Sequence, residues 1–347
     1  MFNLDSIVRK NIKDLKPYSS ARDEYSGEAQ VWIDANENPF DTGVNRYPDP
    51  HQHDLKKMVG TVKGVSPSCL FIGNGSDEII DLLFRMVCQP GTSNAIVLPP
   101  TYGMYAVAAQ INDVEVRQVF LTSSFEVDVS AVLRAIDANT RLIFICSPNN
   151  PTGTLVQSST IEQIATSFGG IVVVDEAYVD FVQQGGGAVE LLARNSNIYV
   201  LQTLSKAWGL AGARVGIGVA SPEIQRYMAK IKAPYNISSL NQQVAINSLE
   251  DMEGFKMKVE LIMEERERLQ KALSCFSCVV TVYPSDANFL LVKFKKVEEV
   301  FMHLKQNGIV ARDRSGEKWC DGCIRITVGT PDENTYLLEV LNMYKEL

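Results

Sequence analysis

Short runs of aliphatic and β-branched residues alternate, over the first two thirds of the chain, with longer segments whose apolar residues recur every three or four positions. This alternation predicts a mostly parallel sheet with helices packed around it. Several of the short runs are apolar at every position, which is typical of strands buried on both faces. The predicted strands cover residues 69–72, 95–98, 142–146, 171–174, 198–201 and 215–220, and the predicted helices cover residues 77–88, 102–111, 130–137 and 160–168.

The pattern changes near residue 241, where a smaller α+β domain is expected. A long helix through residues 263–272 precedes short strands at 279–283, 289–294 and 324–328, and a final helix lies near 332–344. We therefore expect three parts. They are an N-terminal arm that packs with the small domain (1–35), a large domain (36–250) and a small C-terminal domain (251–347).

Composition narrows the class of protein. At 347 residues the chain is longer than one ordinary core, which agrees with two domains. The net charge of −8 and the lack of any basic block argue against a nucleic-acid partner. No uncharged apolar run resembles a signal peptide or reaches the roughly 18 residues of a membrane span. Seven cysteines, an odd number, favour reduced thiols, so a cytoplasmic protein is predicted.

A glycine-rich turn, Gly73-Asn74-Gly75-Ser76-Asp77, joins the first predicted strand to the first predicted helix. Ligands of open α/β sheets bind at the carboxyl ends of strands, and the N–H groups at a helix start attract phosphate. The backbone N–H groups of Gly75, Ser76 and Asp77 are therefore candidates for a phosphate site. Alternatively, the turn only caps the helix, with Ser76 as the N-cap residue.

Two further segments follow predicted strands. Residues 147–153 read Ser-Pro-Asn-Asn-Pro-Thr-Gly and could be only a turn-rich loop. Asp175 ends the strand after it, and Tyr178 lies three residues later. A carboxylate buried there needs a cationic or N–H partner. By itself, however, the segment fits an exposed aspartate at a strand end better.

Lys206 follows two hydroxyl residues, Thr203 and Ser205, and precedes several small residues. Arg214 lies eight positions later. A lone lysine here could be a solvated charge. The set as a whole suits a lysine whose amine must be largely unprotonated to attack a carbonyl, with phosphate-binding groups nearby.

Taken together, these segments resemble the pyridoxal-phosphate (PLP)-dependent aminotransferases of the aspartate-aminotransferase fold, and within them the histidinol-phosphate aminotransferases. The resemblance extends over residues 18–330 and includes five shorter stretches at 15–18, 35–39, 45–49, 99–103 and 324–329. It implies an α/β fold with a large domain, built on a mostly parallel central sheet between helices, and a smaller α+β C-terminal domain.

The resemblance also implies residue roles. Lys206 would hold PLP as a Schiff base and move a proton, and Asp175 would pair with the pyridine nitrogen. Other cofactor contacts would come from Gly75, Ser76, Asp77, Tyr102, Asn150, Tyr178, Thr203, Ser205 and Arg214, and from Tyr47 of the partner subunit in a homodimer. Substrates would contact Tyr18, Asn36, Arg312 and Arg325.

The implied reaction transfers the amino group of L-histidinol phosphate to 2-oxoglutarate in histidine biosynthesis, giving imidazole-acetol phosphate and L-glutamate. Aromatic aminotransfer and threonine-phosphate decarboxylation on the same scaffold remain alternatives. A PLP-binding regulatory module is a third, although no basic helix-turn-helix segment accompanies it.

Two features suggest a metal but have simpler interpretations. The pairs Cys275/Cys278 and Cys320/Cys323 have zinc-like spacing, yet the 41 residues between them exceed the usual distance, and core cysteines are the preferred interpretation. The sequence around His51 and His53 fits the solvated start of a helix. No metal is expected.

Overall fold

The computed structural model describes residues 2–25, 27, 29–183 and 187–344. Its large domain contains a seven-stranded sheet in the order β1-β7-β6-β5-β4-β2-β3, in which β7 alone runs antiparallel to its neighbours. The mostly parallel central sheet predicted from the sequence is confirmed. The strands are β1 (Leu70–Asn74), β2 (Asn94–Val97), β3 (Glu115–Gln118), β4 (Thr140–Cys146), β5 (Ile171–Asp175), β6 (Ile198–Thr203) and β7 (Val215–Val219).

Helices cover both faces of this sheet. In β4, Leu142 and Phe144 enter one apolar cluster while Ile143 and Ile145 enter another, so successive side chains pack against opposite helical layers. The helices of the arm and large domain are α1 (Leu4–Ile7), α2 (Lys10–Lys13), α3 (Ala21–Glu24), α4 (His53–Lys63), α5 (Gly75–Val87), α6 (Met104–Ile111), α7 (Val129–Ala135), α8 (Ser158–Ser167), α9 (Pro222–Ile231) and α10 (Ser239–Glu250).

The C-terminal part forms a separate four-stranded antiparallel sheet in the order β10-β11-β9-β8. Its helices and strands enclose their own apolar cluster, as expected for a smaller α+β domain. The elements are α11 (Met252–Leu273), β8 (Val279–Val282), β9 (Phe289–Phe294), α12 (Val297–Gln306), β10 (Arg312–Asp313), β11 (Cys323–Thr327) and α13 (Pro331–Met343).

The first helices of the arm pack on the large domain, so the expected packing of the arm with the small domain is wrong for them. Leu4, Val8 and Ile12 are buried in the same apolar cluster as residues of α5 and α9. The Arg9 backbone N–H also donates to the Met86 carbonyl at 3.0 Å. The apolar side chains of these short helices lie on one face and pack into a groove between α5 and α9, where they are removed from water.

Three of the four cysteines in the two pairs lie in apolar surroundings, and Cys275 is exposed. Cys320 and Cys323 are buried in the large-domain cluster, and Cys278 is buried in the small-domain cluster. Burial raises the pKa of the Cys323 thiol to about 11. Within the described part of the chain, no helix has the length and apolar character needed to cross a membrane.

Candidate active site

A cavity of about 580 Å³ lies at the carboxyl ends of β4, β5 and β6, where the small domain meets the large one. In open α/β sheets, ligands bind at this edge. The cavity brings together most of the residues that the sequence nominated from separate segments. Those that line it are Gly75, Ser76, Asp77, Tyr102, Asn150, Asp175, Tyr178, Thr203, Ser205, Lys206, Arg214, Arg312 and Arg325.

One wall of the cavity is the start of α5, where Arg214 lies over the helix N-terminus. Gly75 has φ of +75° and donates its N–H to the Arg214 carbonyl at 2.7 Å. A Cβ at Gly75 would lie 2.5 Å from Arg214 Nη2, so any side chain here would displace the guanidinium. Because the Gly75 N–H is used in its bond to the Arg214 carbonyl, it is not free for a phosphate as the sequence predicted. The N–H groups of Ser76 and Asp77, at the start of α5, form a cradle beside the Arg214 cation, an arrangement that suits a phosphate.

Hydroxyl groups complete this wall. Thr203 Oγ1 donates to Ser205 Oγ at 3.0 Å and also accepts from the Ser205 backbone N–H. Thr203 is the last residue of β6, and Ser205 lies in the turn that follows it toward β7. Because Thr203 donates its only O–H to Ser205, it is the Ser205 hydroxyl that adds a neutral donor to the charged ones around the cradle.

Asp175 forms the floor of the cavity and is 3% exposed. Its carboxylate accepts hydrogen bonds from Tyr105 Oη at 2.6 Å and from the Ala177 backbone N–H at 3.1 Å. Among the described residues, no basic side chain forms an ion pair with it. Burial raises the pKa of Asp175, which the Tyr105 hydrogen bond partly offsets. A buried carboxylate of this kind is suited to a cationic N–H partner.

Lys206 lies just after β6, with its Nζ 5.7 Å from the centre of the Tyr178 ring. Partial burial lowers the pKa of Lys206, and the positive charge of Arg325 lowers it further. Both effects favour the neutral amine, which is the nucleophilic form.

The opposite wall comes from the small domain. Arg312 on β10 and Arg325 on β11 are directly opposite in register, so their side chains share a face. Arg325 Nη1 donates a short hydrogen bond to Asn150 Oδ1, which joins the two domains across the cavity. Burial lowers the pKa of Arg325, and the neighbouring arginines 312 and 314 contribute to the lowering.

Three nominated residues lie outside the cavity that one chain forms. Tyr18 and Asn36 are exposed. Tyr47 stacks on Tyr235, with ring centroids 4.5 Å apart. Asn36 and Tyr47 line a different cavity of about 320 Å³. Their roles stay predictions.

Two residues of the site were not nominated from the sequence. Tyr105, in the first turn of α6, lies three residues after Tyr102, and Arg314, just after β10, lies two residues after Arg312. The i, i+3 and i, i+2 spacings could have indicated both, because residues at these spacings share a face of a helix or of a strand. The sequence alone did not say which face would meet the cavity.

The fold and this constellation define a class of enzyme, and the chain belongs to the aminotransferase class I and II family, whose pattern matches residues 21–341. At the level of the particular enzyme, it is similar to the histidinol-phosphate aminotransferase of Cytophaga hutchinsonii, with 50% identity over 347 residues and 99% of each chain covered. The family resemblance predicted from the motifs is confirmed.

Solved structures agree with this relationship. The histidinol-phosphate aminotransferase of Sinorhizobium meliloti, determined in complex with pyridoxal-5'-phosphate, superposes with a TM-score of 0.78 at 25% identity. That match covers 86% of this chain and 83% of the other. The aspartate aminotransferase of Thermus thermophilus gives a TM-score of 0.74 at 20% identity, covering 86% and 82%. The aspartate-aminotransferase fold is thereby confirmed.

Proposed function

We propose that the chain is a PLP-dependent transaminase of histidine biosynthesis that moves the amino group of L-histidinol phosphate to 2-oxoglutarate, giving imidazole-acetol phosphate and L-glutamate. The observation that carries this proposal is the convergence of four kinds of group on one cavity. They are a lysine with a lowered pKa, a buried carboxylate, an anion cradle and a set of arginines. Relatives with the same activity in their names, at high identity and full coverage, support it.

The residues of the cavity fit PLP. The α5 N-terminus and Arg214 offer N–H groups and positive charge to a phosphate, in space that only glycine at position 75 leaves open. Asp175, buried and without a cationic partner among the described residues, can accept a hydrogen bond from a protonated pyridine nitrogen. When bound, PLP supplies an electron sink for negative charge at the substrate Cα.

The chain's own groups position the substrate and move its proton. A neutral Lys206 amine can attack a carbonyl, and the same amine can then accept a proton from the substrate Cα. Tyr178 and Asn150 line the same side of the cavity and can donate hydrogen bonds to a ring oxygen. The Tyr102 ring, half-buried and held by its bond to Asp77, offers a flat face for stacking.

Arg325 and Arg312 are suited to substrates that differ in their anions. Histidinol phosphate carries a phosphate, whereas glutamate and 2-oxoglutarate carry two carboxylates. A planar guanidinium can hold either anion through paired N–H bonds, and a lysine cannot reproduce that geometry. In the glutamate half-reaction, Arg325 would hold the α-carboxylate, with Arg312 near the distal group.

Replacing Arg325 with lysine is expected to lower kcat/KM by about ten- to hundredfold, because hydrogen bonds to charged groups contribute roughly 1.5–3 kcal/mol each. The loss should be larger for 2-oxoglutarate than for histidinol phosphate. Single-turnover measurements of each half-reaction would separate the two effects. Arg268→Lys is the control, since it makes the same substitution at an arginine that holds a carboxylate, Glu265, through two hydrogen bonds away from the cavity. Wild-type rates in both half-reactions of Arg325→Lys would rule out the anion-binding role.

A homodimer with shared sites is the second part of the proposal. Apolar side chains are exposed along the segment around Tyr47, including Ile33 at 88% exposure and Phe40 at 77%. Exposed apolar surface of this kind usually marks a site where a partner binds. A second copy of the chain would cover it and could bring Tyr47 of the partner subunit to the phosphate.

Mixing Tyr47→Phe and Lys206→Ala subunits tests this sharing. In a mixed dimer with shared sites, one site carries both changes and the other carries neither. We therefore expect the mixture to recover activity above that of either mutant homodimer after subunit exchange. Activity equal to the average of the two homodimers would indicate that each subunit supplies its own tyrosine.

The choice of amino donor is tested by steady-state kinetics with histidinol phosphate, phenylalanine and threonine phosphate. The proposal predicts the highest kcat/KM with histidinol phosphate and dependence on 2-oxoglutarate. Release of CO₂ from threonine phosphate would instead indicate a decarboxylase, and preference for phenylalanine an aromatic aminotransferase.

A cytoplasmic location is part of the same proposal. All seven cysteines are free thiols, and several are buried in apolar clusters. Reduced thiols in this number fit a reducing compartment. Fractionation of the native protein tests the location.

A further inference from the structure

Arg314 is a third arginine of the cavity that the proposed function does not use. It lies just after β10, and its backbone N–H donates to the Cys323 carbonyl at 2.9 Å, which continues the pairing of β10 with β11. Because side chains alternate along a strand, Arg314 faces the same side as Arg312. Arg314 lines the cavity together with Arg312 and Arg325.

One carboxylate accompanies this third arginine. Arg314 Nη1 forms an ion pair with Glu317 Oε1 at 2.7 Å, and both side chains are mostly buried. The contact uses one of the five guanidinium N–H groups. Arg314 Nε is buried without a hydrogen-bond partner among the described residues, and the same holds for Arg325 Nε.

Unpartnered buried N–H groups are costly unless a ligand satisfies them. Three guanidinium groups on one wall also repel one another, and Glu317 offsets only one of the three charges. Both costs are removed when a multiply charged anion enters. A phosphate monoester fits this role better than a carboxylate, because it carries a charge of about −1.5 to −2 and three acceptor oxygens.

We propose that Arg314 binds the phosphate of a phosphorylated amino donor and so sets the preference for a phosphate monoester over a carboxylate. Glu317 positions the guanidinium and, as a nearby negative charge, weakens its hold on the anion. This inference rests on the proposed function for the identity of the donor, but not for the existence of the anion site.

The test compares two variants that break the same ion pair. Arg314→Gln and Glu317→Gln are made in the PLP-loaded enzyme, so that the cofactor's own phosphate site is filled. Inorganic phosphate and glutarate, an unreactive dicarboxylate, are titrated by calorimetry. We expect Arg314→Gln to weaken phosphate binding by about ten- to hundredfold, the usual contribution of charged hydrogen bonds, and glutarate binding by much less. Glu317→Gln should bind phosphate as tightly as wild type or more tightly.

Equal weakening of phosphate binding by both variants would mean that the Arg314–Glu317 ion pair only stabilises the local structure. That result would overturn the proposal. Arg314→Lys provides a second measurement if Arg314→Gln fails to fold, since it retains the charge and can keep the ion pair. Arg314→Lys should bind phosphate several-fold more weakly than the wild type, because an ammonium group lacks the paired N–H donors of the planar guanidinium. Wild-type phosphate affinity in Arg314→Lys together with Glu317→Gln weakening would also overturn it. Turnover of histidinol phosphate by the wild type tests the proposed function separately.

Discussion

Lys206→Ala is expected to eliminate the visible absorbance of the bound cofactor and to reduce turnover by at least about 10⁴-fold, as losses of an essential nucleophile do. The physical reason is that no other amine lines the cavity in the described part of the chain. Lys206 would supply both the covalent attachment of PLP and the proton transfer at the substrate Cα. Absorbance spectra before and after borohydride reduction, followed by steady-state assays, measure both effects.

Lys63→Ala is a matched control for this substitution. Lys63 forms an ion pair with Asp180 at 2.8 Å, outside the cavity. Its loss should leave the spectrum and the turnover number close to those of the wild type. Transamination by Lys206→Ala at the wild-type rate would end the assignment of Lys206.

Asp175→Ala is expected to show the second-largest loss, on the order of 10²–10³-fold or more in turnover. Removing one partner of a buried charge pair costs roughly 3–5 kcal/mol, and the full cost falls on catalysis if Asp175 stabilises the protonated ring in the transition state. Steady-state kinetics at saturating PLP separate lost catalysis from lost cofactor binding. A loss below about tenfold, equivalent to about 1.4 kcal/mol, would show that the pairing is misassigned.

Glu176 provides the control for Asp175, because it is the adjacent residue and is also a buried carboxylate. Its oxygens accept from the Ala188 backbone N–H and from Gln202 Nε2, away from the cavity. Burial raises the pKa of Glu176 to about 7. Glu176→Gln removes a buried carboxyl group next to Asp175 but outside the cavity, so retained turnover in this variant would show that the Asp175 effect belongs to the site.

The hydrophobic pattern predicted the large domain well because its central strands are buried on both faces. In β5, Val172 and Val174 pack on one side and Val173 on the other, which requires an uninterrupted apolar run. The edge strand β3 was missed for the converse reason. Glu115 and Gln118 are exposed, so the segment has no apolar run to detect.

The position of the arm could not be read from its sequence. Leu4, Val8 and Ile12 form an apolar stripe. The stripe indicates that the segment packs against another part of the chain, but it does not indicate which domain. The choice depends on the shape of the groove between α5 and α9, a property of the folded large domain.

The proximity of the candidate site residues could be predicted where the backbone fixes the side chain. Asp175 and Lys206 follow strands whose carboxyl ends must meet at one edge of the sheet. Arg314 depends instead on the register of β10 with β11, and Tyr105 depends on which face of α6 meets β5. Those contacts are set by packing between elements, which a single sequence does not specify.

The pair of half-reactions on the PLP-loaded enzyme tests whether one site moves an amino group between two different acids. Histidinol phosphate is added alone, and 2-oxoglutarate follows after the excess donor is removed. We expect histidinol phosphate to convert the cofactor's absorbance to that of its amine form, with one ketone product per subunit. We expect 2-oxoglutarate to restore the original spectrum and to release one glutamate per subunit. A spectrum that histidinol phosphate leaves unchanged, or one that 2-oxoglutarate does not restore, would rule out the proposed transamination.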